Sequence, residues 1–323
     1  MVGWFTRATH AARVPTVTTS AAIVETSPDA PSSSCVVSGA WGSFRQMLNE
    51  TRVTKVEYAA THGYRYLEYA HESVDGFAAD CGAGCAVCNQ SAAALAVGKF
   101  CAVKRAFASG CEWVLWVDAD NAIFDSSRDM ASLAARAGAD AQQTGTPWAV
   151  FGYQTGSAHP DVGISTDGCD ALAASVECGD ASRDFGLCVN SGVFLVARGD
   201  DAARAIDFML GVELDPTALA VDSAVWSYQC RSDGAFSYND QCALAYYTEN
   251  GLETTDGYRC LPATSELDTP STSPLQNYAS SYFADTNLTL DTDAFVNACV
   301  WGSTADKLKC VKVMMLKWAS TRR

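Results

Sequence analysis

Histidine is scarce in this chain: four in 323 residues, at positions 10, 62, 71 and 159, so the second half offers no imidazole at all. Positive charge is short as well. Lys and Arg total 22 against 37 Asp and Glu, a formal net charge of −15. That sets aside nucleic acid as a partner, since such a partner needs a basic face. No apolar run approaches the ~20 residues that cross a bilayer, and the opening MVGWFTRATH lacks the apolar core of a signal peptide. Cysteine, by contrast, is plentiful: fourteen, an even number. Three N-x-S/T sequons, at Asn49, Asn89 and Asn287, accompany them. Together these point to an oxidising secretory lumen. In that compartment the missing leader predicts either a sequence trimmed of its signal or an incomplete gene model. A 48% apolar share and this length allow one sizeable folded core.

The chain is organised around residues 112–125, EWVLWVDADNAIFD. Trp113 to Val117 is wholly apolar and rich in β-branched and aromatic residues, which predicts a buried central strand. It stops at Asp118-Ala119-Asp120, where two carboxylates one residue apart can enter a cleft at the strand's carboxyl end, the place where open α/β sheets bind ligands. Such a pair is costly unless a cation neutralises it, and hard divalent ions take oxygen ligands. The tripeptide alone identifies nothing, because Asp291-Thr292-Asp293 repeats it. The preceding strand is what distinguishes the first copy.

Residues 1–34, rich in Ser, Thr, Ala and Pro, read as a stalk or linker. Order is expected from Cys35, in a short strand closed by Ser38-Gly39. A helix over 51–62 follows, with Val53, Val56 and Ala60 on its inner face and Gly63 as its stop, then a strand over 64–69. This β-α-β opening predicts a parallel sheet. A helix over 92–109 carries Lys99 on its apolar stripe, either snorkelling to water or aimed at a phosphate. Ser127 is expected to cap a helix through Ala137, and strands are expected at 148–152 and 193–196. Gly192 permits close backbone approach to a ligand. Asp200 opens a helix, and a short one follows Tyr238-Asn239-Asp240-Gln241. The segments 156–184 and 251–287 read as irregular or turn-rich, 295–301 as a final strand, and 316–323 as a basic tail.

Residues 81–88, CGAGCAVC, have the CxxxCxxC spacing with which radical SAM enzymes hold an iron–sulfur cluster. Such a cluster requires reduced Cys81, Cys85 and Cys88, whereas the remaining cysteines and the sequons favour a disulfide-stapled loop.

Four pieces in this order resemble a GT-A nucleotide-sugar transferase, and specifically glycosyltransferase family 34, the galactosyl-, xylosyl- and mannosyltransferases of the secretory pathway. They are the helix over 51–64 ending in His-Gly-Tyr, the EWVLWVDAD strand, NSGVFLVARGD from Asn190, and NDQCAL from Asn239. The Asn-Ser-Gly and Asp-Gln pieces also recur in the glycogenin-like family 8. The resemblance implies one Rossmann-like α/β domain over 35–315, a mostly parallel central sheet flanked by helices, and a Golgi-like location. It implies a metal-dependent retaining transfer of a hexose or pentose from a UDP- or GDP-linked sugar to a glycan or glycoprotein acceptor.

Carried over position by position, Asp118 and Asp120 would bind Mn²⁺ (or Mg²⁺), with Asp118 also near the donor's ribose. Asn190, Ser191 and Gly192 would line the donor pocket beside Lys99, and Asp240 and Gln241 would sit at the anomeric carbon as catalytic residues. The ion would stabilise charge on the departing nucleotide. One departure is plain. Both families usually supply a C-terminal His as third metal ligand, and spacing to Gly302 puts Cys299 in its place. The competing readings are the radical enzyme and a disulfide-rich secreted binding protein that keeps the fold without the chemistry.

Overall fold

A computed structural model describes residues 33–73, 81, 85, 94–134, 149–153, 189–211, 231–232, 235–236, 239–240, 242–243, 258–261, 276–278, 295–299 and 303–322. The chain enters through strand β1 (Ser34–Trp41), which continues through Ser38 and Gly39 instead of ending there. Ser38 is tolerated inside because its hydroxyl donates to the Val117 carbonyl at 2.6 Å. Gly42, at φ 52°, reverses the chain into helix α1 (Phe44–His62). This helix begins about two turns before the expected residue 51, since Met47 and Leu48 are buried.

Of the expected inner face only Val56 packs against the core, and Val53 and Ala60 are exposed. Thr51, Thr54, Lys55, Tyr58 and Ala59 point inward, while Val53 is 47% exposed. The buried polar groups are each hydrogen-bonded, which removes the penalty that an apolar stripe would otherwise avoid. Gly63 ends the helix in the left-handed conformation (φ 67°), and Tyr64 N–H closes back on the Ala59 carbonyl at 2.8 Å.

Strand β2 (Arg65–His71) returns parallel to β1. A 3-10 turn (Ala94–Val97) leads into helix α2 (Gly98–Ala108) and then strand β3 (Trp113–Val117), parallel to β1 on its other side. The two crossovers step in opposite directions from β1, and right-handed connections therefore put α1 and α2 on opposite faces. Val36, Tyr66, Leu115 and Val117 join Tyr58 and Ala59 of α1 in one buried cluster. Of opposite parity along the strands, Trp116 and Phe194 stack at 6.3 Å, and Phe100 of α2 meets Phe194 at 5.7 Å. With both faces covered, β3 must be apolar throughout.

The remaining elements are β4 (Asn121–Ile123), β5 (Ala149–Tyr153), β6 (Val189–Ala197), α3 (Asp200–Gly211), the pair β7 (Arg231–Ser232) and β8 (Ala235–Phe236), β9 (Tyr258–Leu261), β10 (Gln276–Tyr278), β11 (Val296–Ala298) and α4 (Thr304–Thr321). The main sheet has six strands in the order β2-β1-β3-β6-β5-β9, and β6 alone runs against the rest. The protein is thus α/β, with a mostly parallel central sheet flanked by helices. A second sheet, β10-β11-β4, lies beyond the acidic turn that follows β3.

Four further expectations change. Ser127 does not cap a helix; its N–H and hydroxyl donate to Asp125, while Asp129 accepts from Ser132 N–H at the start of the helical residues 130–134. The stretch 251–287 contains the strands β9 and β10. Of the last expected strand, β11 is the extended part, Phe295 and Cys299 flank it outside the strand, and residues 300 and 301 lie outside the described residues. The basic segment after 316 is the end of α4, whose Cys310, Val311, Met314 and Trp318 are buried. Lysines at 309, 312 and 317 obscure that stripe in the sequence. The segment 156–184 lies outside the described residues. Among those described, no helix is long and apolar enough to cross a membrane.

Candidate active site

At the carboxyl end of β3 the backbone leaves the sheet as a turn, and several bonds hold that turn in place. Asp118 N–H and the Asn121 side-chain amide both donate to the Gly192 carbonyl of β6, at 2.8 and 3.0 Å. The Thr51 hydroxyl donates to the Ala119 carbonyl at 2.9 Å, so the threonine of the first sequon is a structural part of the site. Beneath the turn lies Lys55, fully buried, donating to Ser38 Oγ (3.1 Å), Thr51 Oγ1 (3.0 Å) and the Asp118 carbonyl (2.8 Å). Burial pulls its pKa down to about 7, against the attraction of Asp118, Asp120 and Glu68.

Lys99 of α2 gathers the expected site residues. Its ammonium does not reach for water: the side chain is 5% exposed and lies 2.9 Å from Asp118 Oδ1. It also pairs with Asp240 and donates to the Ser191 carbonyl at 3.0 Å. The Ser191 hydroxyl in turn donates to Asp240 Oδ2. Burial works against the Lys99 charge, but Asp118 and Asp240 outweigh it and hold its pKa above the usual lysine value. Asp240 is opposed by burial too, yet Lys99 and Ser191 keep it below the ordinary carboxylate range. Asp118 goes the other way. Burial pushes its carboxyl up to about 6 despite Lys99 and the Trp116 indole N–H at 2.6 Å. Asp240 is set at the start of a helical turn by Asn239, whose side-chain oxygen accepts from Cys242 N–H at 2.8 Å.

Asp120 faces elsewhere. Its Oδ2 lies 3.1 Å from the ammonium of Lys307, in the first turns of α4. Asp120 first, against burial, raises the Lys307 pKa, with Asp118 and Asp240 adding to it. Thus the fold brings together Lys99, Asp118, Ser191, Gly192 and Asp240, and places Asp120 beside them with a separate partner. Asn190 lies in β6, and Gln241 lies outside the described residues. Two lysines were missed. Lys55 had a signal, a lysine at helical spacing from Thr51 and Tyr58; Lys307 had none, being 187 positions from Asp120.

The donor set does not fit a resident divalent ion. Asp118 is engaged by Lys99 and Trp116, and Asp120 by Lys307. Cys299, expected where a third ligand would stand, is bonded to Cys310 and has no thiolate to offer. Among the described residues, the trio of candidate ligand atoms within 4.8 Å of one another is Cys81, Cys85 and Cys101. These too are oxidised: Cys81 bonds to Cys101, and Cys85 is disulfide-bonded. That removes two of the three thiolates required by the iron–sulfur reading; Cys88 lies outside the described residues. A further bridge joins Cys35 to Cys111.

No family model matches the chain, and no curated protein matches it. Among solved structures it resembles a glycosyltransferase involved in the glycosylation of the major capsid of PBCV-1, at 14% identity and a TM-score of 0.49, over 86% of this chain and 98% of that one. It also resembles the apo form of the bifunctional glycosyltransferase WbbM, at 9% identity and a TM-score of 0.39. That likeness covers 90% of this chain and 52% of WbbM, so the chain spans about half of WbbM's length. Likenesses this distant assign neither activity nor substrate.

Proposed function

We propose that this chain is a retaining GT-A-type glycosyltransferase, akin to families 34 and 8, which moves a hexose or pentose from a UDP- or GDP-linked sugar to a glycan or glycoprotein acceptor in a Golgi-like lumen. The observation that carries this reading is the Lys99 cluster. One buried ammonium ties together the Asp-Ala-Asp turn, the Asn-Ser-Gly strand and the Asn-Asp helix start, three segments remote in sequence. They meet at the carboxyl end of β3, where a parallel sheet presents a ligand cleft.

In this reading Asp240 faces the anomeric carbon, with Lys99 and Ser191 fixing its carboxylate, and Gln241 orients the sugar. Gly192, lacking a side chain, lets the donor approach the β6 backbone. The bond from C1 to the diphosphate oxygen breaks, and the nucleoside diphosphate leaves with the electron pair. The acceptor oxygen bonds to C1, and its proton passes to Asp240 or to the departing diphosphate. A bound Mn²⁺ would supply Lewis acidity to the leaving group, but the donor set described above does not fit it and no step here uses it.

The test is release of free nucleoside diphosphate from a panel of UDP- and GDP-sugars. At least one should turn over, and Asp240→Asn should slow it by about 100-fold or more, the scale of losing a positioned catalytic carboxylate. Absence of both turnover and binding across the panel contradicts the reading. So does an unchanged rate in a folded Asp240→Asn protein.

A further inference from the structure

Lys307 stands beside the acidic turn, at the carboxylate where a divalent cation would otherwise sit. Its ammonium lies 3.1 Å from Asp120 Oδ2 and within electrostatic reach of Asp118 and Asp240, so it sees all three carboxylates of the cleft. The position is built rather than incidental. The Ser303–Asp306 capping box fixes the start of α4, with Ser303 N–H donating to Asp306 Oδ2 at 3.1 Å. The Cys299–Cys310 bridge then ties α4 to the end of β11. Cys299 N–H itself donates to the Asp120 carbonyl at 3.2 Å. The lysine and its carboxylate are therefore linked through one short covalent and hydrogen-bonded path.

Of the three lysines around the turn, Lys307 is the one open to solvent, at 21% exposure against 5% for Lys99, while Lys55 is fully buried. Among the described residues Asp120 is the one hydrogen-bond partner of the Lys307 ammonium, which has three donors. A divalent ion seated on Asp120 would have to displace this like charge from its pair.

Resting on the glycosyl-transfer reading of the cleft, we propose that Lys307, held by α4 against Asp120, is a built-in cation that contacts the diphosphate, so that the site binds its nucleotide without a divalent metal.

Two titrations of the full chain test this. In the first, Mn²⁺ alone is added and free Mn²⁺ is followed by electron paramagnetic resonance. Wild type should show no saturable site up to about 1 mM, the edge of weak binding. Lys307→Ala should gain one, and adding Asp120→Asn should remove it. A wild-type site of micromolar affinity that is lost in Asp120→Asn overturns the proposal. In the second, UDP and GDP are titrated with EDTA or with Mn²⁺. Wild-type affinity should agree within about twofold between the two. Lys307→Ala should weaken binding in EDTA by at least ~10-fold, and Lys307→Arg should largely restore it. Nucleotide binding that appears only with Mn²⁺ overturns the proposal. Binding of neither nucleotide in any condition overturns the glycosyl-transfer reading and the phosphate contact with it, whereas the Mn²⁺ titration judges the lysine's occupation of the cation position by itself.

Discussion

Lys99 and Lys307 approach the same acidic turn from opposite sides, and they are held in different ways. Lys99 comes from α2, next to Cys101 and its bridge to Cys81, and is buried against Asp118, Asp240 and Ser191. Lys307 comes from α4, which another bridge ties to β11, and at the edge of solvent its ammonium has one partner among the described residues. The first lysine closes three segments into one cluster, so its charge is part of the fold. The second has, among the described residues, one partner for three donors, so its charge is available to a ligand. A buried ammonium shared by two carboxylates and a half-buried one with a single described partner thus do different work, because breaking the first leaves two carboxylates without their common counter-charge.

Breaking the inner lysine should have the largest effect. Lys99→Met leaves Asp118 and Asp240 without their ammonium and should cost about 3 kcal/mol or more in urea unfolding, the usual scale for stranding one side of a buried pair. A loss below about 1 kcal/mol would make the two lysines equivalent and remove the distinction.

Next comes the tether of the outer lysine. Replacing Cys299 and Cys310 together by Ala opens a cross-link of sequence separation 11. It should cost about 2–3 kcal/mol by chain entropy. Because α4 then loses its link to Asp120, nucleotide affinity in EDTA should fall as well. Full retention of that affinity would show that the bridge does not position Lys307.

Lys55, beneath both, gives a pH signature. Its folded-state pKa is lowered from 10.5 to about 7. Between those values the unfolded chain carries a proton that the folded chain has released, so stability rises with pH across that window and the cost is fully present below pH 7. Urea midpoints should therefore rise from pH 7 to 8.5 by the equivalent of about 1–2 kcal/mol. Lys55→Met should flatten that rise. A rise of the same size in the variant would assign it to other groups.

The smallest effect on stability belongs to Lys307→Met. The pair that Lys307 makes with Asp120 is half-buried and rests on one contact, so the loss should be about 1–2 kcal/mol, above that of a surface pair and below that of Lys99→Met, while nucleotide affinity in EDTA drops. A stability loss as large as that of Lys99→Met would break the comparison from its other side.

The parts of this arrangement that could be read in the sequence are those carried by local pattern. Trp113 to Val117 announces a strand covered on both faces, Gly63 announces a helix stop, and Lys99 stands out on an apolar stripe. The inner face of α1 was hidden because Thr51, Thr54 and Lys55 are buried through bonds to the acidic turn, and period counting sees only apolar residues. Helix α4 was hidden by its lysines, and Lys307 by the 187 positions that separate it from Asp120. Charge pairing across such a distance is a product of topology, in this case of β11 folding back beside β4.

The most direct test is an anomalous difference map at the manganese edge, from crystals soaked with UDP or GDP together with Mn²⁺. The expected result is a diphosphate oxygen at about 3 Å from Lys307 Nζ, an ordinary charge-assisted contact, and no manganese peak at Asp118 or Asp120. A manganese peak joining Asp120 to the diphosphate, with Lys307 turned away, would contradict it.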